Sequence, residues 1–262
     1  MKAGLIMNAE LEKKIEDCKN KEKLFDLWKK EHKRDNDYKI NSYDKICKYG
    51  FTEDGEIFKD FYDNSKVKVL YVLKEGNVCY EKDEVLCNCH NLKLAHSEIK
   101  WIKGYIIGSK KHRLLRTIAF YQMILQGEIN SEKMINDDWL NIDNKTEKET
   151  LKKIAVIELN KRGGQAKAIE TIISEYVNKY KAFIKKEIEL IKPKYIVCCG
   201  DFVFKEIKNI YNIKDDNICF FKSNDNQKIF LNAYHPSYRR YNYEKTLKKL
   251  LVSLIEYKKI CK

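Results

Sequence analysis

Proline is nearly missing from this chain: 262 residues hold only two, Pro193 and Pro236, beside ten glycines. Long apolar runs are missing as well, and nothing approaches the ~18 residues that a membrane span requires. The opening MKAGLIMNAE is too short and too soon charged for a signal peptide. Nine cysteines show no spacing of a disulfide framework, so a reducing compartment is expected, with the cytoplasm as location. There is no glycine-rich phosphate loop, no serine elbow, no internal repeat and no low-complexity linker. Arginine is scarce, although Arg113/Arg116 and Arg239/Arg240 fall in pairs.

Lysine dominates instead. The formal charge of +13 and a pI near 9.1 suit a polyanionic partner, because basic side chains gain affinity by releasing condensed counterions. The chain is also rich in Ile and Asn, the composition an AT-rich genome gives whatever the function. Charge alone therefore does not decide the partner.

Residues 9–34 are helix-prone, with Leu11, Ile15, Leu24, Phe25 and Trp28 as an apolar stripe and a solvated Lys/Glu face. The aromatic, turn-rich stretch 35–65 is expected to pack across one end of a sheet. KVKVLYVL, 66–73, reads as a buried strand that runs into a sharp turn at Lys74-Glu75-Gly76-Asn77. Cys79, Cys87, Cys89 and His90 cluster in the next segment. Their spacing lacks the paired CxxC of strong metal motifs, so they read as free cysteines and no metal is expected. A helix is predicted over 112–127, and helix fragments with loop over 128–150. The second strand is 152–159, ending at Asn160-Lys161-Arg162-Gly163-Gly164. A long amphipathic helix over 165–191 stops at Pro193. KYIVCCG follows as a third strand whose adjacent Cys198 and Cys199 must point to opposite faces, as small buried hydrophobes. A short helix (201–210), a strand (228–234) and a final helix (241–260) close the order.

Strands alternating with helices predict a parallel sheet covered on both faces. Parallel strands place their carboxyl ends on one edge, so Glu75, Asn160, Gly200 and His235 are expected to converge there. A carboxylate can orient or deprotonate water, a carboxamide can read a pyrimidine edge, and an imidazole can donate to a developing oxyanion. Together they suit hydrolysis of an N-glycosidic bond, and the same residue types also serve many other hydrolases.

Four ordered segments carry a resemblance. YVLKEGN, IELNKRGG, IKPKYIVCCG and AYHPSYRR resemble successive motifs of the uracil-DNA glycosylase superfamily, in particular its thermophile-type and related bacterial branches, across roughly 66–240. The resemblance implies a three-layer α/β/α fold around a central four-stranded parallel sheet. It implies one domain over 1–262, with residues 1–65 as a helical and aromatic N-terminal elaboration, and a pocket for a base flipped from DNA. By carry-over His235 stabilises the leaving base and Glu75 positions or activates water. Asn160 reads the base edge, beside Gly76, Asn77 and Tyr80. The 235–240 loop, with Ser237, Arg239 and Arg240, enters the minor groove, while Lys161, Arg162 and the two arginines face phosphates. Lys74 and Asn77 stand where the family usually has Gly and Pro, and Lys74 is read as pairing with Glu75 or binding a phosphate. The cluster cysteines of the thermophile-type branch are not recognisable, so no cofactor is expected. Alternative readings are a catalytically degenerate nucleic-acid-binding protein of the same fold and a hydrolase acting on nucleotides or nucleosides.

Overall fold

The computed structural model describes residues 9–34, 51–77, 98–108, 112–129, 142–164, 168–225, 227–238 and 243–260. Helices α1 (Ala9–Glu16) and α2 (Lys21–Arg34) precede strand β1 (Gly55–Glu56), helix α3 (Lys59–Asp63) and strand β2 (Val69–Asn77). Then come α4 (Glu98–Ile107), α5 (Arg113–Gln126), α6 (Asn144–Leu151), β3 (Ile154–Gly164) and α7 (Glu170–Ile191). The order ends with β4 (Tyr195–Cys199), α8 (Asp201–Ile210), β5 (Phe220–Lys222), β6 (Ile229–Ala233) and α9 (Tyr243–Ile260). Among the described residues no helix is long and apolar enough to cross a membrane.

The strands form one six-stranded sheet in the order β1-β3-β2-β4-β6-β5. β2 and β4 run parallel with Val69 opposite Tyr195, and β4 and β6 run parallel with Tyr195 opposite Ile229. At the edges β1 lies antiparallel to β3 and β5 antiparallel to β6. The expected four-stranded, all-parallel sheet is thus corrected to a six-stranded mixed one. Two- and three-residue edge strands are too short to leave an alternating pattern in the sequence, and such short strands leave little unpaired edge. Part of the supposed N-terminal elaboration, Gly55–Glu56, is therefore a strand of the sheet itself.

Two compact units divide the chain: residues 1–53, 74–98 and 158–192 form the first, and 54–73, 99–157 and 193–262 the second. In the second, alternate residues of β2 (Val69, Tyr71, Leu73), β4 (Val197, Cys199) and β6 (Ile229, Leu231, Ala233) share a core with α5 and α9, through Leu115, Ile118, Leu247 and Leu250 among others. Residues of opposite parity are buried too, including Leu70, Val72, Cys198 and Phe230. On that face Phe230 stacks on Phe221 at 4.2 Å, and Phe221 meets Phe204 of α8 at 5.3 Å. Helices therefore cover both faces, as the near-continuous apolar strands demand. Cys198 and Cys199 are both fully buried, and burial raises the Cys198 thiol far above its ordinary range. Gly200 turns the chain from β4 into α8 at φ 119°, a conformation that favours glycine, and its N–H meets the Ala233 carbonyl at 2.7 Å.

The first unit packs α1 and α2 against α7. Trp28, fully buried, stacks on Phe183 at 5.0 Å and meets Phe51 edge-on at 5.6 Å. The helix-prone stretch 9–34 is two helices because Asn20 caps the second: its side-chain oxygen accepts the Lys23 N–H at 3.0 Å. Helix α7 kinks at Tyr180 (φ −112°, ψ 15°).

Candidate functional site

β2 and β3 continue past the points where the sequence ends them. Extended backbone runs through Lys74, Glu75, Gly76 and Asn77 in β2, and through Asn160 to Gly164 in β3. The sharp turn expected at Gly76 is absent. Positive φ is confined, among the described glycines, to Gly55, Gly127 and Gly200. Glu75 is consequently held half-buried on a strand, where its Oε2 accepts the Asn160 Nδ2–H at 3.0 Å. The Asn160 Oδ1 accepts the Arg162 N–H at 3.1 Å, so both ends of this fully buried carboxamide are oriented by the chain.

The next two residues depart from expectation. Lys161 and Arg162, expected at phosphates, are buried, 0% and 1% exposed. Partners on α7 account for both. Lys161 Nζ sits 2.9 Å from Glu187 Oε2, with both side chains fully inaccessible, and 5.6 Å from the Trp28 ring centre. Arg162 reaches the Tyr180 hydroxyl at 3.3 Å, at the kink of α7. Lys74 pairs with Glu170 at 2.6 Å. Lys161 and Arg162 tie the strand that carries Asn160 to α7.

In the second unit β6 ends at Ala233 and the chain turns through Tyr234-His235-Pro236-Ser237-Tyr238. The Tyr238 N–H bonds the His235 carbonyl at 2.9 Å, a four-residue turn with proline in the second position, where its fixed φ belongs. The Ser237 N–H points at His235 Nδ1, at 3.2 Å. A ring nitrogen that accepts a backbone N–H carries no proton of its own, so this hydrogen bond assigns the neutral imidazole's proton to Nε2. His235 is thereby set as a hydrogen-bond donor through Nε2. The Tyr234 and Tyr238 rings stack across the turn at 5.9 Å, and Lys249 Nζ lies 4.6 Å from the Tyr234 ring centre.

Residues 137–257 match the family model of the uracil DNA glycosylase superfamily. The matched span carries three of the four motifs that resemble this family: Asn160 at β3, the Pro193–Gly200 segment and the His235 turn. Glu75 lies outside the matched residues. No curated protein matches the chain.

Tyr80, Arg239 and Arg240 lie outside the described residues, as do Cys79, Cys87, Cys89 and His90, and Asn77 is described only as backbone. Among the described residues no group of three or more His, Cys, Asp or Glu is placed to hold a metal. A cavity of about 650 Å³, lined by residues such as Phe61, Lys66, Gln126 and Lys153, includes none of the predicted site residues. Two sets of contributors escaped the sequence reading. Glu187 lies on the apolar stripe of α7 between Phe183, Ile184 and Ile188, and a carboxylate in such a stripe signals a buried cation. Arg113, Thr117 and Tyr121 repeat every fourth residue on α5, a row of polar groups along one line of a largely buried helix.

Proposed function

We propose that the protein is a base-excision N-glycosylase that hydrolyses the N-glycosidic bond of uracil or a damaged base in DNA. The observation that carries this reading is the His235 turn. It falls inside the superfamily match, and its imidazole is set to donate through Nε2. In the reaction the bond from C1′ to the base nitrogen breaks, and its electron pair leaves with the base. Negative charge builds on a base carbonyl oxygen, where the His235 Nε2–H donates a hydrogen bond. Water adds its oxygen to C1′, and its proton is taken up in turn by the carboxylate and then by the departing base. Glu75 is the carboxylate assigned to that water, and Asn160 is assigned to the base edge. Gly76, Asn77 and Tyr80 accompany the base, while Lys74, Ser237, Arg239 and Arg240 are the DNA contacts. Lys161 and Arg162 serve Asn160 instead of phosphates, because they are buried.

A second reading, hydrolysis of a free nucleoside or nucleotide, is supported by that same burial, which removes two of the expected phosphate contacts. A third, a protein that binds nucleic acid without turnover, is supported by the position of Glu75 outside the superfamily match. The test is release of free base, followed by mass spectrometry, from single- and double-stranded oligonucleotides carrying uracil, hypoxanthine or an alkylated base. The expected result is release from at least one substrate. Folded protein that binds these strands and releases nothing would favour the binding reading, and release from nucleosides alone would favour the second.

A further inference from the structure

Helix α5 contacts the His235 turn in a regular way that no role described above requires. Arg113 donates from Nη2 to the Tyr238 carbonyl at 3.1 Å. The Thr117 hydroxyl lies 3.1 Å from the Pro236 carbonyl, and the Tyr121 hydroxyl 2.9 Å from the Tyr234 carbonyl. Each hydroxyl also reaches a second carbonyl, Arg113 at 2.9 Å and Thr246 at 3.3 Å, and shares its one proton between the two. Every fourth residue of the helix thus meets every second carbonyl of the turn.

We propose that α5 is a positioning rack for His235, in which Arg113, Thr117 and Tyr121 fix the carbonyls of residues 238, 236 and 234 and thereby the direction of the Nε2–H. The inference rests on the reading of His235 as the group that faces the leaving base. The turn's own hydrogen bonds hold the His235 carbonyl and Nδ1, and the helix holds the carbonyls on either side. A donor aimed before the substrate arrives needs no reorganisation as charge develops. The three α5 side chains are positioning residues, and none of them is assigned a contact with the base.

The experiment uses the full chain labelled with ¹⁵N at histidine. Five histidines are present, and His235→Gln identifies the resonance of interest. In the wild type Nδ1 is expected as the unprotonated ring nitrogen and Nε2 as the protonated one. Tyr121→Phe and Thr117→Val, singly and together, are expected to give a mixture of tautomers and a shifted His235 titration. Thr117→Ser, which keeps the hydroxyl, is expected to restore the wild-type pattern. On an excised substrate, the double variant should lose about 10- to 100-fold in kcat with KM little changed, the scale of a misaimed catalytic group. If Tyr121→Phe does not fold, the comparison of Thr117→Val with Thr117→Ser gives the same readout. A folded double variant with a single wild-type tautomer and an unchanged titration would overturn the rack. The tautomer readout needs no substrate. Absence of base release by the wild type would therefore overturn the glycosylase reading while leaving the rack to be judged by NMR.

Discussion

Replacing Glu187 by leucine leaves the Lys161 ammonium in a fully buried place without its carboxylate. At 2.9 Å the pair's attraction is about 6 kcal/mol for an effective dielectric of about 20. Desolvation costs several kcal/mol for each ion, so the intact pair is close to break-even and does not by itself stabilise the unit. Breaking it is different, because one charge stays buried: the expected loss is about 3–5 kcal/mol. The Trp28 face, 5.6 Å from Nζ, offsets up to about 2 kcal/mol as a cation–π partner. Glu187→Leu should therefore fall near 3 kcal/mol, and Lys161→Met, which strands the carboxylate, nearer the upper limit. The double variant Lys161→Met/Glu187→Leu should return to within about 1 kcal/mol of wild type. Urea unfolding followed by tryptophan emission and circular dichroism measures the cycle. A Glu187→Leu loss under about 1 kcal/mol, or a double variant no better than the worse single one, would refute the reasoning. Because Lys161 follows Asn160 on β3, base release should suffer more in either single variant than in the double.

Alkaline pH should unfold the protein for a stated reason. Burial raises the phenols of Tyr71, Tyr121 and Tyr176 well above their ordinary value. Their contribution is complete below pH of about 10 and is lost as pH climbs toward the folded-state values, by about 1.4 kcal/mol per pH unit for each. Tyrosinate absorbance should jump together with the loss of circular dichroism, and smooth ionisation in the folded state would count against it. Asn160→Asp would set a second carboxylate beside Glu75 and raise a carboxyl pKa in the folded state, so stability should be lost as pH rises through that value. The variant, compared with wild type, should be weaker at pH 7 than at pH 5, and an equal difference at both would be the wrong result. Gly200→Ala should cost about 1–3 kcal/mol in the same urea assay. The cost comes from φ, since among the described residues nothing beyond its chain neighbours lies within 4 Å of the added methyl, and an unchanged midpoint would contradict it.

The buried strands were legible because they must be apolar on both faces: 66–73, 152–159 and 228–234 all correspond to strands of the sheet. What escaped is physical in origin. Gly55–Glu56 and Phe220–Lys222 are too short to alternate, and they were missed along with the antiparallel edges they form. The far ends of β2 and β3 were misread because a charged pair before a glycine resembles a turn, whereas Asn160 and Glu75 satisfy each other there in extended backbone. Lys161 and Arg162 looked like surface cations because sequence does not say which way a strand residue points once its polarity is ambiguous. Glu187, some 26 positions away, supplies the answer only in three dimensions. His235 was found because Pro236 stops a strand in a chain with so little proline. The α5 groups that hold its turn lie more than a hundred residues earlier, beyond the reach of local pattern.

The central claim is that the His235 Nε2–H stabilises the charge on a departing base. Single-turnover excision by wild type and His235→Ala, on whichever substrate the wild type cleaves and with DNA affinity measured in parallel, tests it most directly. The expected outcome is a rate lower by about 100- to 1,000-fold, the usual loss for one oxyanion donor, with affinity little changed. A His235→Ala rate within a few-fold of wild type would contradict the claim.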